Sequence, residues 1–364
     1  MENIENHNKE GIHFMQFMFK PTYACNLACK YCHVHHLRDT DSAIISLDMA
    51  KSLFNWILEY CISKRITHID ILWHGGEPLL VKPDLMYKII RYYSQIFRNN
   101  GIVFSSSIQS NLLLLNSEYI SIIKEFFDNT IGFSYDYKSN ERCYTNGKDA
   151  SCNIWEKALW AKSQGINLGA ITQLNNDNIN CIDELYYWFR DAGINFKYSR
   201  IRSTNNYCKR LQDDVYINSL KRLFDLWIND EPQKIIIQNF KEFIQMLITG
   251  QSSSCCYQKD CNILSFTNNG NIYFCDRFQQ NGVVGVYTKN TIDDVIRNIY
   301  NNIKLYTKAE NIKCNNCKYS RLCNGGCLFN KINKYQEQEC YVTKSLLSHI
   351  EGLLLEQGYE VVTK

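Results

Sequence analysis

Cys25, Cys29 and Cys32 stand in the run Cys25-Asn26-Leu27-Ala28-Cys29-Lys30-Tyr31-Cys32, a CxxxCxxC loop placed just after a short apolar strand pattern. Three thiolates anchor an iron-sulfur cubane and leave one iron open to a small molecule, whereas four cysteines close the cluster and restrict it to moving electrons. The competing chemistry is structural zinc, which takes CxxC pairs and a fourth ligand nearby; His33, His35 and His36 follow the loop closely.

Two further groupings have chemical content. At the end of the second strand pattern stands Trp73-His74-Gly75-Gly76-Glu77-Pro78, where the glycine pair lets backbone polar groups reach a ligand and anionic Glu77 is available to an ammonium. Near the other end lie Cys255, Cys261, Cys275, Cys314, Cys317, Cys323, Cys327 and Cys340, with CxxCxxxxxCxxxC over 314–327 at the centre. Eight thiolates close two sites of four ligands each, and a pair of zinc ribbons uses similar spacing. Cys256 is spare, and the neighbours Cys255 and Cys256 are alternatives for one position. Cys61, Cys143, Cys152, Cys181 and Cys208 are scattered and read as small hydrophobes or surface thiols.

The elements that must position these groups follow from periodicity. Strands are expected at 14–19, 67–73, 102–108, 130–135, 166–173 and 194–201, with helices at 47–62, 84–98, 117–127, 154–164 and 181–191. Gly101, Gly165 and Gly193 sit where left-handed helix caps are wanted. Six strands alternating with five helices imply a parallel sheet with crossover helices, and six fit an incomplete (β/α) barrel better than a closed one. Active sites of such barrels lie at the carboxyl ends of the strands, which is where the three-cysteine loop falls.

The expected fold class is α/β: a partial (β/α)6 TIM-like barrel followed by a small cysteine-rich α+β domain. Its divisions are an extension at 1–13, the barrel at 14–205, a helical connector at 206–250, the cysteine-rich domain at 251–345 and a terminal helix at 346–364. Short strands and turns such as Asn268-Asn269-Gly270 mark the cysteine-rich part, with helices near 291–306 and 343–357.

Composition narrows the partners. Lys and Arg number 40 against 37 Asp and Glu, and no dense basic block suggests nucleic acid or a membrane surface. The amino end is polar, and no apolar run approaches the roughly 18 residues that span a bilayer, so a cytoplasmic protein is expected. Seventeen cysteines in that compartment point to metal or catalysis rather than disulfides.

CxxxCxxC followed one strand later by Gly75-Gly76-Glu77-Pro78 resembles the radical SAM superfamily, and the distal cysteine field resembles its SPASM extension. The resemblance implies S-adenosylmethionine on the open iron, split to a 5'-deoxyadenosyl radical. It implies the methionyl amine at Gly75, Gly76 and Glu77, adenine against Tyr31, ribose at Ser134, and further cofactor contacts from Gln109 and Asn111 at the third strand's end. The family often continues with Asp-Gly-Pro after the serine, where this chain has Asp136-Tyr137-Lys138. It also implies three 4Fe-4S clusters: one on Cys25, Cys29 and Cys32, and two auxiliary clusters on Cys255, Cys261, Cys275 and Cys327 and on Cys314, Cys317, Cys323 and Cys340. Asp276 matches an aspartate of sulfatase-maturing relatives and is the candidate base; capping a turn or pairing with Arg277 is its plainer role.

The function this implies is a peptide-modifying radical SAM oxidoreductase that matures a ribosomal precursor by oxidation or cross-linking, reduced by a flavodoxin or ferredoxin. Formylglycine formation from Cys or Ser in sulfatases is the alternative, and His74, where such relatives usually have Gln, favours the former. A non-enzymatic Fe-S or zinc-binding protein is the reading from another class.

Overall fold

The computed structural model describes residues 14–38, 41–201, 211–232, 234–258, 261–278, 282–307, 312–332 and 335–362; the expected 1–13 extension and Cys208 lie outside them. Its first half runs β1 (Phe14–Lys20), α1 (Leu47–Lys64), β2 (His68–Trp73), α2 (Pro83–Asn99), β3 (Val103–Ser110), α3 (Ser117–Phe126), β4 (Thr130–Ser134), α4 (Ser151–Ser163), β5 (Asn167–Leu174), α5 (Ile182–Ala192) and β6 (Asn195–Arg200). All six strands and five helices expected from periodicity are present. Gly101, Gly165 and Gly193 have φ of 70°, 79° and 59°, the left-handed conformation that ends each helix without a Cβ clash.

Two helices follow, α6 (Asp213–Ile228) and α7 (Gln238–Thr249), and then β7 (Ile263–Thr267), β8 (Asn271–Tyr273) and β9 (Val283–Val286). The cysteine-rich part continues through α8 (Ile292–Thr307) and the short α9 (Ile312–Asn315), α10 (Ser320–Cys323) and α11 (Leu328–Ile332) to α12 (Gln336–Glu356).

One sheet orders these strands β6-β5-β4-β3-β2-β1-β7-β8-β9, so it stays open at β6 and β9. β1 to β6 pair in parallel, as crossover helices require. β7 adds in parallel to the far edge of β1, and β8 and β9 return antiparallel. The sheet therefore runs without a break from the barrel into the cysteine-rich segment. Gly270, at φ 94°, turns β7 into β8 where the sequence Asn268-Asn269-Gly270 announces a turn.

Alternation along β1 explains how the sheet serves a site. Met15, Phe17 and Phe19 are buried toward the helices, where Phe19 packs edge-on against Phe54 and Trp73. The other face carries Gln16, Met18 and Lys20, and polar residues recur on it in register. Asp70 accepts from Gln16 Nε2 at 2.9 Å, Ser105 Oγ at 2.8 Å and Ser107 Oγ at 2.9 Å. A hydrogen-bonded polar row thus lines the concave side of the sheet, below the strand ends where the cysteine loop sits.

Candidate active site

The three-cysteine loop leaves β1 and is stitched on two sides by backbone hydrogen bonds. Gly76 N donates to Thr22 O and Glu77 N to Ala24 O, each at 2.9 Å, joining it to the turn after β2. Ala28 N donates to Cys143 O at 2.7 Å and Lys30 N to Glu141 O at 2.9 Å, joining it to the segment after β4. A Cβ on Gly76 would overlap the carbonyls of Tyr23 and Ala24, so close approach of two backbones is what requires glycine there.

Donors point at the sulfurs. Leu27 N lies 3.4 Å from Cys25 Sγ, Asn111 Nδ2 3.9 Å from Cys25 Sγ, and Arg142 Nη1 3.7 Å from Cys29 Sγ. Burial raises the Cys25 thiol to about 12 and Cys29 to about 11, with Glu77 adding to the first and Arg142 opposing the second. Thiols buried with N–H groups aimed at sulfur suit thiolate ligands, which a bound metal keeps deprotonated.

Glu77 is buried and its carboxylate accepts from three protein donors. Oε1 accepts from Leu79 N at 3.0 Å and Ser110 Oγ at 2.7 Å; Oε2 accepts from Asn111 N at 2.8 Å. Glu77 therefore clamps the Gly75-Gly76 turn to the end of β3. Gln109 Nε2 donates to Ser134 Oγ at 3.0 Å and Asn111 Nδ2 to Asn26 Oδ1 at 2.7 Å, so these site residues meet across β3, β4 and the cysteine loop.

Tyr31 carries an arrangement absent from the sequence reading: its hydroxyl is held between Asp136 and Arg142. Arg142 Nε also donates to Asp136 Oδ2 at 3.2 Å, and Gln173 N to Asp136 Oδ1 at 2.8 Å. Arg142 is a buried cation beside Cys29 that no local motif announces. Its only sequence signal is an arginine shortly after the strand that carries Ser134.

Asp276 opens the turn after β8 and meets residues that flank the three-cysteine loop. Its carboxylate pairs with Lys20 Nζ, at the end of β1, and lies 3.5 Å from His33 Nε2. Burial pushes this carboxyl up, but Lys20, His33 and His74 outweigh it and hold it well below the usual range. Lys20 is 1 % exposed, and a buried ammonium of that kind requires such a counter-charge.

The distal cysteines gather as two groups. Electrostatic interaction links Cys255, Cys256, Cys275 and Cys327, and Cys261 with Cys275. Burial pushes the Cys323 thiol up, and Cys314, Cys317 and Cys340 add to the rise. Among the described residues no three His, Cys, Asp or Glu side chains converge on a single-ion site.

Comparison with known proteins agrees with this geometry. Residues 10–142 match the model of a 4Fe-4S single cluster domain. Over 336 residues the chain is 24% identical to a cysteine-type anaerobic sulfatase-maturating enzyme of Clostridium novyi, covering 87% of this chain and 88% of the relative. A serine-type anaerobic sulfatase-maturating enzyme of Bacteroides thetaiotaomicron is 22% identical over 362 residues, covering 88% and 84%. Among solved structures, native anSMEcpe with bound AdoMet and Cp18Cys peptide superposes with a TM-score of 0.80 at 20% identity, covering 94% of this chain and 98% of that one. SuiB of Streptococcus suis bound to S-adenosylmethionine gives 0.62 at 18% identity, covering 91% and 77%. The chain shares the fold of these structures, here an open and mostly parallel α/β sheet with the three-cysteine loop after its first strand. Along most of its length the chain is similar to anaerobic sulfatase-maturating enzymes. No helix among the described residues is long and apolar enough to cross a membrane.

Proposed function

We propose that this chain is a peptide-modifying enzyme that cleaves S-adenosylmethionine and oxidises a residue of a ribosomal precursor, forming a carbon-carbon or thioether cross-link. The observation that carries the reading is the place of Asp276. It adjoins Cys275 of the first distal group and also touches Lys20 and His33 beside the three-cysteine loop, so one carboxylate spans the two metal sites.

Cys25, Cys29 and Cys32 hold the cofactor-binding cluster in this reading; Cys255, Cys261, Cys275 and Cys327, and Cys314, Cys317, Cys323 and Cys340, hold two auxiliary clusters. When bound, these groups supply a hydrogen-abstracting radical at one end and an electron acceptor at the other. The chain's own residues do the rest. Gly75 and Gly76 present backbone to the methionyl end, Glu77 fixes their turn, and Tyr31, Gln109, Asn111 and Ser134 border the nucleoside. Asp276, ionised and oriented by Lys20, accepts the proton lost when the substrate is oxidised. A flavodoxin or ferredoxin would supply the electron to the cluster that Cys25, Cys29 and Cys32 would hold. The barrel at 14–205 serves the radical step and the segment at 251–345 the electron, in one cytoplasmic protein.

Formylglycine formation is the second reading, favoured by the sulfatase-maturating relatives that match along most of their length. Anaerobically reconstituted enzyme incubated with a sulfatase-derived peptide separates the two: an aldehyde product establishes the second reading, and no turnover there leaves a dedicated precursor. Replacing Cys25, Cys29 and Cys32 together by Ala must abolish cofactor cleavage and leave auxiliary iron. Cleavage that persists overturns both readings.

A further inference from the structure

Two arginines reach candidate ligand sulfurs, one in each of two cysteine groups. Arg142 Nη1 lies 3.7 Å from Cys29 Sγ, and Arg277 Nη1 lies 4.0 Å from Cys327 Sγ. They differ in what balances their charge. Arg142 is buried beside the buried carboxylate of Asp136, which accepts from its Nε at 3.2 Å, so a neutral pair stands behind Cys29. No carboxylate pairs with Arg277 among the described residues. The carboxylate beside it in sequence, that of Asp276, is turned to Lys20 and His33.

Ring packing holds Arg277 near the sulfur. Its guanidinium lies 6.0 Å from the centroid of the Phe329 ring, and Phe329 stands edge-on to buried Phe278 with centroids 5.4 Å apart. Arg277 and Cys327 border the same cavity of about 350 Å3. Reducing an iron-sulfur cluster adds one negative charge, so a fixed cation at a ligand sulfur raises the potential. A cation already neutralised by a carboxylate raises it less.

We propose that Arg277 raises the potential of the group held by Cys255, Cys261, Cys275 and Cys327 and so makes it the electron acceptor in substrate oxidation, whereas Asp136 cancels the corresponding effect of Arg142 at Cys29. Arg277 acts through the ligand sulfur and touches no substrate. One electron leaves the substrate radical for that group, and the proton released goes to Asp276. The inference rests on the three-cluster reading above.

The test is an EPR-monitored redox titration of anaerobically purified protein with Cys25, Cys29 and Cys32 replaced by Ala, so that only the auxiliary clusters contribute. Arg277→Met and Arg277→Gln remove the charge; each is expected to lower one of the two potentials by about 59 mV or more, a tenfold change in a one-electron equilibrium, and to leave the other in place. Arg277→Lys keeps the charge and should keep the potential within that margin. In the chain with all its cysteines, Asp136→Asn should raise the potential of the three-cysteine cluster. Potentials unmoved in both neutral variants overturn the proposal, as does a fall in Arg277→Lys as large as theirs. A wild-type chain short of about twelve irons, or a triple-Ala chain without auxiliary iron, refutes the three-cluster reading itself, before any potential is compared.

Discussion

Lys20 and Asp276 form a partly buried ion pair across 256 positions of sequence, joining the last residue of β1 to the turn after β8. The pair exists because β7 adds to the edge of β1 and carries β8 with it. It sets the carboxylate beside the loop of Cys32, where Asp276 and Lys20 both act on that thiol.

Replacing Asp276 by Asn keeps the shape and removes the proposed proton acceptor. Substrate oxidation is expected to fall by about 10²–10⁴-fold, while reductive cleavage of S-adenosylmethionine continues. Product and 5'-deoxyadenosine are measured in the same reaction. Equal loss of both would remove Asp276 from the oxidation step. Lys20→Met removes the ammonium from a partly buried carboxylate that keeps His33, and should cost about 1–3 kcal/mol in denaturant unfolding.

Gly76→Ala places a methyl against the carbonyls of Tyr23 and Ala24, and backbone cannot yield as a flexible side chain does. We expect a loss of about 1–3 kcal/mol and weakened cofactor binding, read by denaturant midpoint and by equilibrium dialysis. A variant with unchanged midpoint and affinity contradicts the close approach.

Arg142 faces Cys29, Asp136 and Tyr31 at once, which a planar guanidinium achieves and an ammonium does not. Arg142→Lys should lose iron selectively from the three-cysteine loop, up to about four atoms of about twelve, with the auxiliary spectra intact. Uniform loss of iron would instead indicate general unfolding.

His74 supplies a pH signature. Burial lowers it to about 4, with Lys20 and His33 adding to the fall and Asp276 opposing it. The unfolded imidazole takes its proton near pH 6.5 and the folded one only near 4. Its contribution to stability is therefore complete above about pH 6.5 and declines as pH falls toward 4. His74→Gln should flatten the stability profile across that window, measured by urea unfolding at several pH values; an unchanged slope would assign the acid sensitivity elsewhere.

The six parallel strands and five helices were legible from residue pattern because each buries one face, and both β period and helix period leave local traces. The thiols were legible because ligand type and spacing are chemical facts of the chain. Arg142 was not, since a lone arginine after a strand has no local mark of the Asp136 and Tyr31 that will enclose it. Glu77 was read as facing an ammonium, yet its lone pairs turn to Leu79, Ser110 and Asn111; the end of β3 lies within reach only once β2 and β3 are paired. Which edge β7 joins, and so which base meets the radical loop, is likewise a matter of sheet order. The chain alone settles which atoms are available for chemistry and which segments are strand or helix, because those depend on neighbours in sequence. Strand pairing settles which of those atoms meet, because contacts between distant segments are selected by burial and register across the whole sheet.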